Sequence, residues 1–170
     1  MSGILGVSPN MKTGVLGAYP AGHVIQSKVK VIHLTDNASN YCSTTATAGR
    51  VINTASQNLE ITGFSIAAGN ILKVSYTAGQ FSYEGAGNGI FGVKVDTSIK
   101  SCSIRTGGGT TGASQTCTVN FSEVQAATLS NVTIAAWMAS PNTANVRIYH
   151  HDYTALYDGM WTICVQEIQQ

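Results

Sequence analysis

Apolar and polar residues alternate with a period of two in segment after segment between residues 25 and 168, and that pattern confines the chain to β-sheet. The stretch that introduces it is Gly14-Val-Leu-Gly-Ala-Tyr-Pro-Ala-Gly-His-Val-Ile-Gln-Ser-Lys-Val-Lys-Val-Ile-His-Leu34, where a glycine-punctuated apolar segment passes into strict alternation. From Ile25 onward the apolar Ile25, Val29 and Val31 interleave with the polar Gln26, Lys28 and Lys30. This predicts a strand whose aliphatic face is buried and whose lysine face is wet. Pro20 and Gly22 punctuate its start.

Further strands are predicted at Arg50 to Asn53, Asn58 to Ile66, Ile71 to Thr77 continuing through Gln80 to Tyr83, Ile90 to Asp96, and Ser101 to Arg105. Thr116 to Phe121, Asn131 to Met138, Asn145 to His151 and Met160 to Ile168 complete the set. The inward positions are Leu72, Val74 and Tyr76; Phe91, Val93 and Val95; Cys117, Val119 and Phe121; Val132, Ile134, Ala136 and Met138; and Trp161, Ile163 and Val165. Trp137 falls on the opposite face of its strand. Turns are expected at Ala68 to Asn70, Gly85 to Gly89, Thr106 to Gly112 and Ser140 to Thr143. Thr35 to Gly49 reads as a loop or a short polar strand pair, and Glu123 to Leu129 as a short helical turn. Some nine or ten short strands at a spacing of 8 to 12 residues point to a sandwich or barrel, with a jelly roll as the first topology. The expected fold is therefore all-β, a jelly-roll-like β-sandwich over residues 22–170 with an extended N-terminal arm over residues 1–21.

Residues 1 to 22 contain five glycines and two prolines among isolated aliphatic residues, with no period of 2 or 3.6. Gly3-Ile-Leu-Gly6 recurs as Gly14-Val-Leu-Gly17 eleven residues later, so two similar aliphatic pairs sit on glycine hinges. A solvated tail is polar and charged. The segment is either a disordered tail or, as its aliphatic spacing favours, a docking arm whose partner-binding residues are Ile4, Leu5, Val15, Leu16 and Tyr19.

Composition narrows the function. Of 170 residues 44% are hydrophobic but only 10% are charged, against about 25% in an average domain, which suits surfaces that pack on neighbours. The net charge of +1, with basic residues scattered over different strands, gives no footprint for nucleic acid. Cys42, Cys102, Cys117 and Cys164 have no metal-ligand spacing. Cys102 and Cys117 flank the Gly107-Gly-Gly109 turn and are either a cross-hairpin disulfide or buried thiols. No signal peptide and no membrane span is expected.

His150, His151, Asp152 and Asp158, beside Tyr149, Tyr153 and Tyr157, are the one ionisable cluster. Adjacent strand residues point to opposite faces, so the two histidines do not share an ion without a bulge. A wet, tyrosine-rich loop that touches a neighbour or a glycan is the better reading. No G-x-S-x-G elbow occurs, and Glu60, Glu84, Glu123 and Glu167 stand apart in sequence. A carbohydrate-active β-fold enzyme would need two of them to meet in space. No catalytic residue, metal or cofactor is assigned.

Pro20-Ala-Gly-His-Val-Ile-Gln26 leading into a Lys/Val strand, Ile71-Leu-Lys-Val-Ser-Tyr76, and Trp161-Thr-Ile-Cys-Val-Gln-Glu-Ile168 together resemble small virion structural proteins of tailed bacteriophages. The likeness spans residues 20 to 168 and its motifs are loose. It implies a β-sandwich or jelly-roll module, usually trimeric, with an N-terminal segment attached to the virion and a head facing outward. The chain has no shaft, collagen-like repeat or heptads, which favours a capsid decoration or a short head or neck appendage, assembled in the host cytoplasm. The alternative is a tail-fibre tip in which Ser82 to Gly89 or Tyr149 to Tyr157 recognises host glycan.

Overall fold

The alternating segments form strands because their β-branched and aromatic residues fill one face of a pleat while hydroxyl and amide residues face water. A computed structural model describes residues 21–33, 41–54, 57–83, 88–106, 115–141, 145–149 and 160–170. Among these are eleven strands: β1 (Val24–His33), β2 (Tyr41–Thr44), β3 (Arg50–Val51), β4 (Glu60–Ile66), β5 (Ile71–Tyr83), β6 (Asn88–Val95), β7 (Ser98–Thr106), β8 (Gln115–Val124), β9 (Leu129–Ala139), β10 (Val146–Tyr149) and β11 (Met160–Ile168).

Four antiparallel pairs are nested in sequence: β6 with β7, β5 with β8, β4 with β9, and β1 with β11. A long hairpin of this kind, wound on itself, splits into two sheets. β11 joins β5, giving β1-β11-β5-β8, and β9 joins β6, giving β4-β9-β6-β7. That is the jelly roll. β10 pairs with β5 beyond the end of β11 and carries β2 on its far side, while β3 pairs with β9.

The two sheets enclose one apolar layer. Leu72, Val74, Tyr76, Val119, Trp161, Ile163 and Val165 face Phe64, Phe91, Val93, Ile134, Ala136 and Met138, all buried. The predicted inward positions are therefore correct for β5, β6, β8, β9 and β11. The Tyr76 hydroxyl crosses the layer and donates to the Trp137 carbonyl at 3.4 Å, so one sheet is hydrogen-bonded to the other through the core.

Strand direction gives the sandwich two unlike ends. At one lie Gly22, the turns at residues 67–70, 96–97 and 125–128, and Gln169. These turns are tight. Asp96, with φ 50, closes the two-residue β6–β7 connection, and its backbone N and carboxylate Oδ1 bond Thr133 O and N, each at 2.8 Å. At the other end lie the strand termini that lead into residues 34–40, 84–87, 107–114 and 150–159.

Three expectations are corrected. β1 is inverted: Lys28 and Lys30 point between the sheets, and Val29 and Val31 point outward, 61% and 43% exposed. The reason is position, because β1 is an edge strand above β4, and the seam between two sheet edges is open to water. Glu123 to Leu129 is not a helical turn; β8 runs to Val124 and β9 begins at Leu129. The described strands number eleven rather than nine or ten, because β2, within the stretch read as a loop or a short polar strand pair, pairs with β10. Cys117 is buried on β8, and the Cys102 side chain, on which the alternative of disulfide or thiol turns, lies outside those described.

Candidate functional site

The register across β1, β11, β5 and β8 places residues on the outer face of that sheet in four rows. They are Val31–Thr162–Thr77–Thr118, Val29–Cys164–Ser75–Asn120, Ser27–Gln166–Lys73–Ser122 and Val24–Ile168–Ile71–Val124. Lys73 is the single charge among these sixteen. Short hydroxyl, thiol and amide side chains make a flat floor over β11, β5 and β8, and Val29 and Val31 stand above it along the β1 edge. Met160 extends this apolar border, 58% exposed. The last row is an apolar end, with Val24 at 41% and Val124 at 48% exposure.

Single exposed aliphatics need no explanation, but an apolar border on a face with one charge makes this outer face the candidate site for contact with a partner. Covering one valine fully is worth about 1.5–3 kcal/mol. The outer edge of β1 has no strand partner among the described residues.

The inner side of β1 shows how that edge is held. Lys28 Nζ donates to Gly63 O at 2.7 Å and to Thr62 O at 3.4 Å, and Lys30 Nζ donates to Asn58 O at 2.8 Å. Lys28 Nζ also lies 6.0 Å from the centroid of the Phe64 ring. The lysine stems thus span the seam and their heads cap carbonyls of the opposite sheet. Lys28, Val29, Lys30, Glu60, Ile61 and Thr62 line a shallow groove of about 410 Å³ there. Inward-pointing lysines also discourage indiscriminate pairing at a strand edge.

Where the chain enters β1, Glu167 forms a clamp. Its carboxylate accepts from Ala67 N at 2.9 Å, Asn70 Nδ2 at 2.7 Å and Gln26 Nε2 at 2.7 Å. Burial pushes this carboxyl up, but the Ala67 amide, then Asn70 and Gln26, outweigh it and hold it below the usual 4.5. Gly22 N to Gln169 O at 2.7 Å and Gln169 N to His23 O at 2.9 Å extend the same β1–β11 ladder outward.

The other candidates divide as follows. Ile4, Leu5, Val15, Leu16 and Tyr19 lie outside the described residues, as do Glu84, His150, His151, Asp152, Tyr153, Tyr157 and Asp158. Of the loops assigned to glycan, only the flanking strand ends are described. Glu60 accepts from Asn58 Nδ2 at 3.2 Å, Glu123 pairs with Lys100 at 3.5 Å, and Glu167 is held by its three donors. Each carboxylate is engaged by its own neighbours. Among the described residues no group of three His, Cys, Asp or Glu side chains is placed to hold a metal ion, and no helix is long and apolar enough to cross a membrane. Sequence reasoning missed the outer face because its period-2 signal assigned the aliphatic side of β1 to the core.

No protein-family model matches the chain, and no curated protein matches it. Solved structures similar to it include infectious bursal disease virus VP2 in a subviral particle, at 14% identity and TM-score 0.35, covering 86% of this chain and 39% of that one. The Gx strain of the same virus is similar at 14% identity and TM-score 0.32, covering 98% and 42%. A VP2 variant in T=1 particles is similar at 15% identity and TM-score 0.34, covering 98% and 40%. The chain spans about two fifths of the length of these proteins. The fold assignment rests on the strand pairings above, and nothing functional is transferred from likenesses of this size.

Proposed function

We propose that the chain is a non-enzymatic structural protein of a bacteriophage virion, a capsid decoration or cement protein or a short head or neck appendage. In this reading residues 1–21 are an anchoring arm on another virion structural protein, residues 22–170 are the head, and three copies associate. The observation that carries it is the outer face of β1-β11-β5-β8, uncharged but for Lys73 and bordered by exposed Val29, Val31 and Met160, beside the entry point of a nearly uncharged arm. The strand termini that lead into residues 84–87, 107–114 and 150–159 lie opposite that entry point, so in this reading a copy anchored by Ile4, Leu5, Val15, Leu16 and Tyr19 turns that end of the sandwich away from the anchor. The resemblance over residues 20 to 168 supports the same reading. Closed three-fold association is one way to cover the apolar border.

The test is co-sedimentation of the full chain, and of a version starting at Ala21, with capsid shells of the source virus lacking this protein. Pelleting of the full chain alone supports an anchoring arm. If both versions stay in the supernatant, the reading fails. A second reading, a tail-fibre tip that recognises host glycan, is favoured by the meeting of the strand ends at Tyr83, Asn88, Tyr149 and Met160 at one end of the sandwich. Retention on a glycan array tests it.

A further inference from the structure

We propose that Gln26 and Glu167 form an acid-released latch: a proton on Glu167 Oε2 frees residues 21–26 from the end of the sandwich while the core stays folded. The inference does not rest on the virion reading, because it concerns only how the start of β1 is held.

The carboxylate is loaded unevenly. Oε1 accepts from both Ala67 N at 2.9 Å and Asn70 Nδ2 at 2.7 Å, whereas Oε2 accepts from Gln26 Nε2 at 2.7 Å. Two donors on Oε1 leave Oε2 the more basic oxygen, so the proton goes there. The new O–H then faces an N–H, donor against donor. Gln26 does not answer by turning its amide over, because the same Nε2 donates to Ser65 O at 2.6 Å, and a reversed amide sets two carbonyl oxygens against each other. Protonation therefore costs Gln26 one of its two bonds whichever way the amide sits. At 5% exposure, Glu167 leaves little room for water to make up the loss.

Which side yields depends on what else holds it. Residues 21–25 are all exposed, and β1 is an edge strand with a bulge at Ile25, since Val24 pairs with Ile168 and Gln26 with Glu167. Beyond the bulge the chain is held by Gly22 N to Gln169 O and Gln169 N to His23 O, with no buried apolar side chain. Segments of that kind open at low cost. The β4–β5 turn, across the carboxylate, keeps Gly69 N to Gln125 O, Gln125 N to Asn70 O and Ala68 N to Thr128 Oγ1. The start of β1 is thus the part that lets go.

The charges around the latch are few. Register puts Gln26, Glu167, Leu72 and Glu123 in one inward row, and Glu123 is paired with Lys100 at 3.5 Å. Lys28 is turned to Gly63 O and Thr62 O, Lys73 lies on the outer face, and His23 begins the segment. The turns at residues 67–70 and 125–128 carry no charged side chain. Burial pushes the Glu167 carboxyl up, and its three donors outweigh that and hold it below 4.5. The latch is therefore fully shut above that value and opens as pH falls through the lower, folded one.

The test is amide exchange of the full chain, followed by NMR from pH 7 to about pH 3 and read as protection factors, which divide out the intrinsic pH dependence of exchange. Protection of the Gly22 and Gln169 amides is expected to fall about ten-fold or more below pH 4.5, while that of Val74 and Ile134 on interior strands holds. Glu167→Gln puts an NH2 where the proton would sit, its carbonyl oxygen serving Ala67 N and Asn70, and is expected to show the acid level of protection at pH 7 with no further change on acidification. Gln26→Met, which removes the amide and leaves the carboxylate intact, is expected to do the same and serves if Glu167→Gln does not fold. Joint loss of protection at Val74 and Ile134, or no fall at Gly22 and Gln169, would overturn the proposal. So would a fall centred in the histidine range near about 6.5, full protection of Glu167→Gln at pH 7, or a pH-dependent fall that survives in Gln26→Met.

Discussion

Gln26 Nε2 donates to Glu167 Oε2 at 2.7 Å, joining the first strand to the last through a carboxylate only 5% exposed. With Ala67 N and Asn70 Nδ2 as its other donors, Glu167 fastens the β4–β5 turn to both strands and makes the arm-bearing end one unit.

The pH dependence follows from the lowered carboxyl. A group whose folded pKa lies below its unfolded value stabilises fully above the unfolded value, here about 4.5, and that stabilisation is lost as pH falls through the folded pKa. Glu167→Gln is expected to lower stability at pH 7 by about 1.5–3 kcal/mol, the worth of hydrogen bonds to a charged acceptor. It is also expected to flatten the loss below pH 4.5. Urea melts from pH 7 to pH 3 check this, and parallel curves for both proteins would show the carboxylate to be inert.

Gly49 and Gly69 both have positive φ, 68 and 86, but different surroundings. A Cβ on Gly49 meets the Trp137 ring and lies 2.5 Å from Met138 O, whereas one on Gly69 meets nothing within 4 Å. Gly69→Ala is expected to cost about 1 kcal/mol of backbone strain, and Gly49→Ala about 3 kcal/mol or more. At this chain length that gap is a difference of roughly 4–8 °C in melting temperature. Equal melting shifts would mean that the 44–49 loop gives way freely over Trp137.

Replacing Val29 and Val31 together with serine removes the apolar border without touching the core. The folding stability is expected to stay within about 0.5 kcal/mol of the wild type, as for surface changes generally, while self-association weakens. Sedimentation velocity at several concentrations measures this. An unchanged association constant would place the interface elsewhere.

Lys28→Val with Lys30→Val makes β1 aliphatic on both sides. Loss of the bonds to Gly63 O and Asn58 O is expected to cost about 1 kcal/mol in all. The larger effect is on solubility, since the inward charges that guard the strand edge are gone. Light scattering at rising concentration should show aggregates where the wild type shows none.

Most of the fold was legible because parity is a reliable signal once a strand has core on one side. In β5, Leu72, Val74 and Tyr76 alternate with Lys73, Ser75 and Thr77, and in β11 Trp161, Ile163 and Val165 alternate with Thr162, Cys164 and Gln166. Parity gave the wrong side for β1 because alternation separates two faces without saying which one meets the other sheet. At an edge the inner side is wet enough for lysine. The outer face was illegible for the same reason: its four rows are assembled by register across β1, β11, β5 and β8, bringing together residues as far apart as Val24 and Ile168. Glu123 to Leu129 reads as a short helical turn in sequence, but Gln125 N bonds Asn70 O and Gly69 N bonds Gln125 O, so pairing with the neighbouring turn decides its shape.

The nesting of the strands fixes an order of completion. β11, the last strand, lies between β1 and β5, with partners on both sides. A chain still emerging from the ribosome therefore holds β1 and β5 as two open edges until β11 is free, and its apolar strands wait longest for their partners at the stage when aggregation is easiest. Losing β11 would therefore take out an interior strand of the sheet rather than trim its border.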